Sequence, residues 1–291
     1  LTNPINPETG EPWRIGVAHG ASVSEYLAKL GASIKESADA AGVTLEFLDA
    51  DYDVNTQISQ IETLIANEVD IIILNPVDAS AMQNPLESAA AKNIPVICVN
   101  TIVDDPSLTL AYVGSNDKEA GENIATYACE AIGGKGGVVI LEGVLGMSSE
   151  VLRSEGIDNV LPNYPDVEVL ARKSANWDRQ EGMTTMENWA QSFGSDIKAV
   201  IAENDEMALG ALQALEGAGV NDVVVVGVDG LQDAILSIAD GKMACTYLQD
   251  ADGQGSECIR AALIYLNGGE MQDEYNVPWQ KITTDNVADY Q

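Results

Sequence analysis

The sequence predicts an α/β fold made of two Rossmann-like lobes with parallel sheets. Short runs rich in β-branched residues alternate along the chain with longer segments of helical periodicity, which is the pattern of repeated βα units. The runs at 69–74 and 223–226 are almost continuously apolar, which is typical of parallel strands covered on both faces. The nine units of this kind are too many for one open sheet, so we predict two sheets.

The first half of the chain is predicted to contain four strands, at 14–19, 43–48, 69–74 and 95–99, with helices at 24–41, 55–67 and 79–92. Gly42 follows the first helix, where the left-handed conformation of a helix cap is easiest for glycine. Pro95 opens the fourth strand because proline cannot continue the helix before it. A polar stretch at 104–107 precedes the segment 113–116, and we place the break between the halves there.

The second half is predicted to contain five strands, at 137–141, 167–171, 199–201, 223–228 and 243–248, with helices at 117–131, 149–161, 179–193, 205–218, 231–240 and 252–267. Gly219 caps the helix at 205–218 in the way that Gly42 caps the first helix. The glycine-rich segment 133–137 is predicted to be a flexible turn, because it lacks the spacing of a phosphate-binding loop.

The charge balance excludes two classes of partner. The 291 residues include 46 acidic and 14 basic side chains, which give a net charge of −32 and a pI near 4.1. Such a polyanion repels the phosphate backbone of nucleic acids and the surface of anionic membranes. Disorder is also disfavoured, because 46% of the residues are hydrophobic and the mean hydropathy is −0.01.

The sequence contains no apolar run of about 18 residues, the length that a membrane span requires. Its first residues do not have the pattern of a signal peptide, which indicates either a trimmed polar leader or the start of a cytosolic protein. Four cysteines are spread through apolar segments without a CxxC pair, at Cys98, Cys129, Cys245 and Cys258. Buried thiols are favoured over a zinc or redox site, and disulfides stay open.

Polar side chains follow the ends of most predicted strands. Because ligands bind beyond the carboxyl ends of parallel strands, these positions form the candidate site. The recurring side chains are asparagine, aspartate and glutamine, with one arginine and two aromatic residues. A sugar hydroxyl needs both a donor and an acceptor, and a flat aromatic ring covers the apolar face of a sugar. The pattern therefore predicts a site for a neutral polyhydroxylated ligand.

Catalytic and cofactor chemistry has little support in the sequence. No GxGxxG follows the first strand, no GxSxG is present, and His19, the only histidine, is expected to be structural. The segment 49–55 spaces its oxygens as a calcium loop does but lacks the glycine and the final glutamate, so we expect it to cap the helix near Asn55. Asn204 is expected to cap the helix at 205–218 as well as to contact the ligand.

Five motifs in order give the chain a specific resemblance. The motifs are 74–78, 112–116, 146–156, 202–211 and 226–230. On these residues the chain resembles the type I periplasmic binding proteins of the ribose/galactose family, the sugar-capturing subunits of ABC transporters, from about residue 13 to 282. The resemblance implies two lobes, 1–114 plus 250–276 and 115–249 plus 277–291, joined by a three-segment hinge near 114–116, 248–251 and 276–279.

The resemblance also implies the residues that bind the ligand. Two aromatic side chains, Tyr26 and Trp177, occupy the family's stacking positions. Polar contacts of the family fall on Asn75, Arg153, Asn204, Asp229 and Gln249.

At three places the sequence departs from the ribose binders. The pair Asn100-Thr101 stands where they have an aspartate and an arginine, Ser24 replaces an asparagine, and Val228 replaces an aromatic residue. One bidentate charged clamp is therefore missing. We expect a related pentose, hexose, polyol or other small hydroxylated ligand rather than ribose itself.

The function that follows is capture of a small neutral sugar or polyol in a cleft between the lobes, with delivery to an ABC permease. We expect no catalytic residue, metal, cofactor or nucleic-acid partner, and a monomer outside the cytoplasm, either periplasmic or lipid-anchored, whose signal segment is absent from this chain. The alternative is a sugar-sensing module of the same fold for chemotaxis or regulation. A sugar-modifying enzyme is disfavoured by the missing nucleophile and cofactor fingerprint.

Overall fold

The computed structural model describes residues 2–291, which form twelve strands and nine α-helices. The strands are β1 (Arg14–His19), β2 (Thr44–Asp49), β3 (Ile71–Leu74), β4 (Val96–Val99), β5 (Ala111–Gly114), β6 (Lys135–Glu142), β7 (Asp166–Ser174), β8 (Ile197–Ala202), β9 (Val224–Asp229), β10 (Cys245–Leu248), β11 (Glu274–Asn276) and β12 (Gln280–Thr283). The helices are α1 (Glu25–Ala41), α2 (Val54–Ala66), α3 (Gln83–Ala91), α4 (Asp117–Ala131), α5 (Ser148–Val160), α6 (Arg179–Phe193), α7 (Asp205–Ala218), α8 (Gln232–Ala239) and α9 (Ala251–Leu266).

The chain divides into two compact units. Unit 1 comprises the residues up to Ser115 together with Gly146–Ser148 and Asp250–Val277, and unit 2 comprises Asn116–Leu145, Ser149–Gln249 and Pro278–Gln291. The chain thus crosses between units after Ser115, Gln249 and Val277, and it also contributes the three residues 146–148 to unit 1 from within the sequence of unit 2.

Unit 1 contains a six-stranded sheet in the order β11-β5-β4-β3-β1-β2, in which every pairing is parallel. β3 and β4 are buried along their whole length, as their apolar sequences predict. Their side chains pack with those of α2 and α3 in one core, which includes Ile61, Leu64 and Leu86. The carboxyl ends of β1, β3 and β4 therefore lie along one edge of a rigid sheet.

Unit 2 contains a six-stranded sheet in the order β12-β10-β9-β8-β6-β7. All its pairings are parallel except that of β12, which runs antiparallel to β10. Its core joins β6, β8, β9 and β10 to α4 and α5, with Ile124, Ile140 and Ile157 among its fully buried side chains. This sheet brings the carboxyl ends of β9 and β10 side by side.

The predicted fold class is confirmed, and each of the nine predicted strands and nine predicted helices has a counterpart in the structure. Three strands, β5, β11 and β12, were not predicted. They are three or four residues long and lie at or near sheet edges, and β11 and β12 each contain at least two exposed polar residues. β12 runs antiparallel to β10 at the edge of a sheet whose other pairings are parallel, as predicted.

The cysteines and the segment 49–55 have the structural roles that the sequence predicts. All four cysteines are buried free thiols. Asp53 is the N-cap of α2 and accepts a hydrogen bond of 2.6 Å from the backbone of Thr56, so the segment 49–55 caps a helix as expected. Over residues 2–291, none of the helices combines the length and apolar composition that crossing a membrane requires.

Candidate functional site

In unit 1 the predicted site residues follow three neighbouring strands. Ser24 and Tyr26 lie at the start of α1 after β1, Asn75 follows β3, and Asn100 and Thr101 follow β4. We call these five residues together with Gln254 of α9 the unit-1 cluster. All six side chains are uncharged, and all but that of Ser24 belong to buried residues.

Asn75 is fully buried and ties the loops of this edge together. Its carbonyl oxygen accepts a hydrogen bond of 3.2 Å from the backbone of Gly20. Its amide nitrogen donates to the Thr101 hydroxyl at 2.7 Å and to the Val99 carbonyl at 3.3 Å. The Thr101 hydroxyl in turn donates to the carbonyl of Pro76 at 3.0 Å. Both side chains thus have protein partners that hold the loops after β1, β3 and β4 in register.

Asn100 is held more loosely. Its amide nitrogen lies 3.5 Å from the Tyr26 hydroxyl and 3.4 Å from Oε1 of Gln254, both long for hydrogen bonds. Its backbone has a φ of +65°, a left-handed conformation that asparagine tolerates better than most residues. Ser24 is the N-cap residue of α1, but its hydroxyl makes no capping hydrogen bond. Among the buried residues of this cluster, Asn100 is therefore a side chain held only by long contacts, which leaves it capacity for a ligand hydroxyl.

In unit 2 the five predicted residues Arg153, Trp177, Asn204, Asp229 and Gln249 come together with Asp117, and we call these six the unit-2 cluster. Arg153 is buried, and its guanidinium contacts protein at every nitrogen. Nε and Nη2 each lie 2.9 Å from Oδ1 of Asp117, and Nη1 donates to the Glu203 carbonyl at 2.5 Å. The rings of Trp177 and Trp279 each lie 5.5 Å from the guanidinium carbon.

The charge of Arg153 is matched by its ion pair with Asp117. Desolvation lowers the pKa of Arg153, and the nearby acidic groups, with Asp117 first among them, raise it by more. Burial raises the pKa of Asp117, and Arg153 opposes that shift. The arginine is thus a fixed, neutralised donor rather than an open anion site.

Trp177 is held in place by backbone geometry. Trp177 and Asn176 both have positive φ values, of +61° and +54°, which turn the chain sharply after β7. The indole ring lies flat against Gly143, where a Cβ atom would be only 1.9 Å from Cζ2 of the ring. Asn204 donates to the Trp177 carbonyl at 3.3 Å and, as the N-cap of α7, accepts from the backbone of Met207 at 3.0 Å. The expected capping role of Asn204 is confirmed.

Asp229 and Gln249 end the neighbouring strands β9 and β10. The backbone N–H of Gln249 donates to the Asp229 carbonyl at 3.1 Å. Asp229 is buried, and Nε2 of Gln249 is buried without a hydrogen-bond partner among residues 2–291. Burial raises the pKa of Asp229 well above its ordinary value, and Arg153 counteracts this. A buried carboxyl group and an amide donor without a protein partner therefore lie at the carboxyl edge of the sheet.

Sequence reasoning missed three residues that support this site: Asp117, Glu203 and Gln254. Glu203 is fully buried, and its carboxyl group accepts from the backbone of Gly143 at 2.8 Å and lies 2.7 Å from the Ser154 hydroxyl. Burial raises its pKa to about 8. Its position directly before Asn204 in the motif 202–211 was the one available signal. Asp117 and Gln254 lie in helices far along the chain from the residues they contact, so spacing gives no signal for them.

The arrangement suits hydrogen bonding rather than catalysis. His19, the sole histidine, is fully buried beside Phe47 with a ring centroid separation of 5.1 Å. Among the residues that the structure describes, no group of histidine, cysteine and carboxylate side chains could hold a metal ion. Each cluster offers amide, hydroxyl or carboxylate groups at a sheet edge, and the unit-2 cluster adds an indole face.

Comparisons with known proteins agree with this chemistry. A family model described as a periplasmic binding protein domain matches residues 15–270. The xylitol-binding protein of Mycolicibacterium smegmatis is 38% identical over 274 residues, which cover 94% of this chain and 78% of that protein. The ribose import binding protein of Bacillus subtilis is 34% identical over 275 residues, which cover 94% and 88%. An ABC transporter solute binding protein from Bacillus halodurans, solved with bound myo-inositol, has a TM-score of 0.91 and 34% identity over 96% of each chain.

Proposed function

This chain belongs to the periplasmic binding protein domain family, and from that premise we propose that it captures a small neutral sugar or polyol outside the cytoplasm and delivers it to an ABC permease. The resemblance predicted from the sequence motifs is confirmed. Like these relatives, the chain is a binding protein and not an enzyme. The relatives named for import favour transport over the sensing alternative.

The observation that carries the proposal is the buried side-chain nitrogen of Gln249, which has no hydrogen-bond partner among residues 2–291 and follows β10 beside the buried Asp229 at the end of β9. A buried amide N–H without an acceptor is costly when it stays unpaired. A ligand with adjacent hydroxyl groups can accept from Gln249 with one of them and donate to the Asp229 carboxylate with the next. The sequence motifs give Trp177 as the residue that stacks on the carbon skeleton, and its ring lies 5.5 Å from the guanidinium carbon of Arg153 in the same cluster.

The charges favour a neutral ligand. The unit-1 cluster has no ionisable side chain apart from the Tyr26 phenol, and the positive charge of Arg153 in unit 2 is matched by Asp117. A phosphorylated sugar would bring negative charge to a chain of net charge −32 without an unpaired cation in either cluster to receive it.

Within the sugars and polyols, we propose that the ligand is a polyol, either linear or cyclic. The pair Asn100-Thr101 gives unit 1 amide and hydroxyl groups in place of a charged clamp, and Thr101 is already bonded to Asn75 and Pro76. One relative is named for xylitol, and one solved relative holds myo-inositol. Both ligands are rich in hydroxyl groups that are interchangeable donors and acceptors.

The test is thermal unfolding in the presence of xylitol, myo-inositol, ribose, galactose and a nucleoside. A ligand at about 100 times its dissociation constant should stabilise the native protein by roughly 2.7 kcal/mol. Mass spectrometry of material that co-purifies with the protein identifies the ligand directly. If none of these compounds shifts the unfolding midpoint and none co-purifies, the proposed function is wrong.

The variant that tests the site is Asp229→Asn, which keeps the shape of the side chain but replaces one acceptor oxygen by a donor. We expect affinity for the bound polyol to fall about 10- to 100-fold, because a buried ligand hydroxyl left unpaired costs about 1–3 kcal/mol. Asp233→Asn is the matched control, since Asp233 pairs with Arg179 on the exposed surface of unit 2. Equal affinities in the two variants, measured by calorimetry, would contradict the assignment of Asp229.

We also propose that the protein acts as a monomer, in a periplasm or held at the cell surface by a lipid anchor. Its family supports a place outside the cytoplasm, and the large negative charge opposes self-association. Light scattering of the purified protein should give a mass near 30.8 kDa. A dimer mass would contradict the monomer, and recovery of the native protein in the cytoplasmic fraction would contradict the location.

A further inference from the structure

Gln254 is a fully buried side chain whose amide links two functionally different parts of unit 1. It lies in the first turn of α9, five residues after Gln249, where the chain crosses between the units. Its Oε1 accepts from the amide of Asn100 at 3.4 Å, and its Nε2 donates to the Ser115 hydroxyl at 3.1 Å. One side of Gln254 thus contacts a predicted ligand-binding residue and the other side contacts a crossing segment.

The link continues to the third crossing. The Ser115 hydroxyl donates to the Val277 carbonyl at 2.6 Å, and the Val277 N–H donates to the Gly114 carbonyl at 2.8 Å. Ser115 and Val277 are the last residues of unit 1 before two of the crossings, and Gln254 follows the other one closely. A single chain of hydrogen bonds, from Asn100 through Gln254 and Ser115 to Val277, therefore reaches all three crossings.

A second connection runs beside the first. The Tyr112 hydroxyl lies 3.0 Å from the carbonyl oxygen of Asn100 and 2.9 Å from that of Ser115. Gly114 leaves room for it, since a Cβ atom there would be 2.1 Å from the Tyr112 oxygen. The loop after β4 is thus joined to the first crossing both through a buried amide and through a phenol.

The series of hydrogen bonds runs in one direction, because each member accepts from the one before it and donates to the one after it. Gln254 accepts at one end of its amide and donates at the other, and Ser115 accepts from it and donates onward. Only a side chain with both a donor and an acceptor at this length completes the chain. Because all its members except Val277 are buried, a broken link leaves polar groups without water to replace the lost partner.

We propose that Gln254 is a positioning residue that couples ligand contact at Asn100 to the three segments where the chain crosses between the units. The inference rests on the proposed function only in taking Asn100 as a ligand contact. The long hydrogen bonds of Asn100 leave it free to shift toward a ligand hydroxyl, and any such shift is passed through Gln254 to Ser115 and Val277.

The first experiment needs no ligand. Hydrogen exchange of the Val277 amide is measured in the wild-type chain and in Gln254→Met, which keeps the length of the side chain and removes both polar ends. We expect exchange to quicken about tenfold, which is the equivalent of one lost buried hydrogen bond. Ser115→Ala, which removes only the hydroxyl, is a second variant that breaks the same chain and should have a similar effect.

The coupling itself is measured with Asn100→Ala in two backgrounds. In the wild-type background this change should raise the exchange rate of the Val277 amide. In the Gln254→Met background it should cause no further increase in that rate. The matched control is Gln57→Met, because Gln57 is also a fully buried glutamine of unit 1 but bonds only to backbone groups of Ala18, Asn75 and Val77. Its replacement should leave exchange at Val277 unchanged.

The second experiment adds xylitol or myo-inositol, whichever shifts the unfolding midpoint. The polyol should slow exchange at Val277 in the wild-type chain and fail to do so in Gln254→Met, while still protecting the loop after β4. If Asn100→Ala has equal effects in both backgrounds, the coupling through Gln254 is wrong. If neither polyol binds, the proposed polyol function fails while the ligand-free experiment still decides the role of Gln254.

Discussion

A single serine hydroxyl in unit 2 faces three carboxyl groups. The Ser154 hydroxyl lies 2.7 Å from Glu203, 3.4 Å from Glu150 and 3.5 Å from Glu142. A protonated Glu203 can donate to Ser154, which then donates onward to one of the other two carboxylates. The raised pKa of Glu203 therefore agrees with the geometry, and the neutral acid holds Gly143 against the indole of Trp177.

The charge state of Glu203 gives the stability of the protein a definite dependence on pH. Its pKa is about 8 in the folded protein and near 4.5 in the unfolded chain, so the unfolded chain releases the proton first as the pH rises. The free energy of unfolding must then fall between pH 4.5 and 8. We expect Glu203→Gln to reduce this fall by a few kcal/mol, in the range that burial of a carboxylate costs.

Urea unfolding of both proteins at pH 5 and at pH 8 measures this effect. Glu187→Gln, on an exposed part of α6, is the matched control for the loss of one glutamate. Part of the decrease in unfolding free energy with pH should remain in every variant, because burial also raises the pKa of Asp205, to about 7. Parallel pH profiles for the wild-type chain and Glu203→Gln would contradict the buried neutral acid.

At the scale of elements, close helix contact sets the position of Arg153. α4 and α5 meet at two glycines, Gly121 and Gly156. A Cβ atom on Gly121 would be 2.0 Å from the Arg153 carbonyl oxygen, and one on Gly156 would be 2.2 Å from the carbonyl oxygen of Lys118. The two backbones therefore approach each other as only glycine allows, and the helix that carries Arg153 cannot move away without losing its bond to Asp117.

Gly121→Ala should consequently lower both stability and ligand affinity, since α5 must shift and carry the Arg153 backbone with it. Gly217→Ala is the matched control in α7, where a Cβ atom meets nothing within 4 Å. There the change should stabilise by about 1 kcal/mol, through helix propensity alone. Thermal unfolding and calorimetry with the bound polyol measure both effects, and equal behaviour of the two variants would contradict the contact.

The elements that the sequence could predict are those with a strong local signal. β3 is a continuous apolar run, and α7 begins at a capping asparagine and ends at Gly219. β11 has one buried residue in three, and β12 has exposed polar residues at two of its four positions, so their pairing depends on distant strands and leaves no periodic pattern. The role of Gln254 could not be predicted for the same reason, because it arises from contacts with residues more than 100 positions away in the sequence.

At the scale of the whole molecule, the residue types of the site could be predicted but their partners could not. Asn75 and Asp229 were predicted alike as ligand contacts. The structure gives Asn75 a protein partner for each end of its amide, and it sets Asp229 beside Gln249, whose side-chain nitrogen has no partner among residues 2–291. Such a difference depends on how loops from several strands meet, and no single segment of the sequence contains that information. Asn75 therefore stays a predicted contact whose evident role is to hold the loops in register.

The net charge of −32 gives the last prediction, which concerns the molecule as a whole. Folding brings like charges closer together, so their repulsion destabilises the compact state. Salt at about 0.15 M reduces the reach of this repulsion to about 8 Å. We expect the unfolding midpoint to rise when sodium chloride is added at low ionic strength.

The affinity for a neutral polyol should stay constant over the same range of salt, because binding brings no net charge to either cluster. The two measurements are therefore expected to separate, with stability dependent on salt and binding independent of it. A midpoint that falls with salt would mean that ion pairs such as Arg179 with Glu206 outweigh the general repulsion. An affinity that changes steeply with salt would mean that the ligand is charged, and the proposed substrate class would then be wrong.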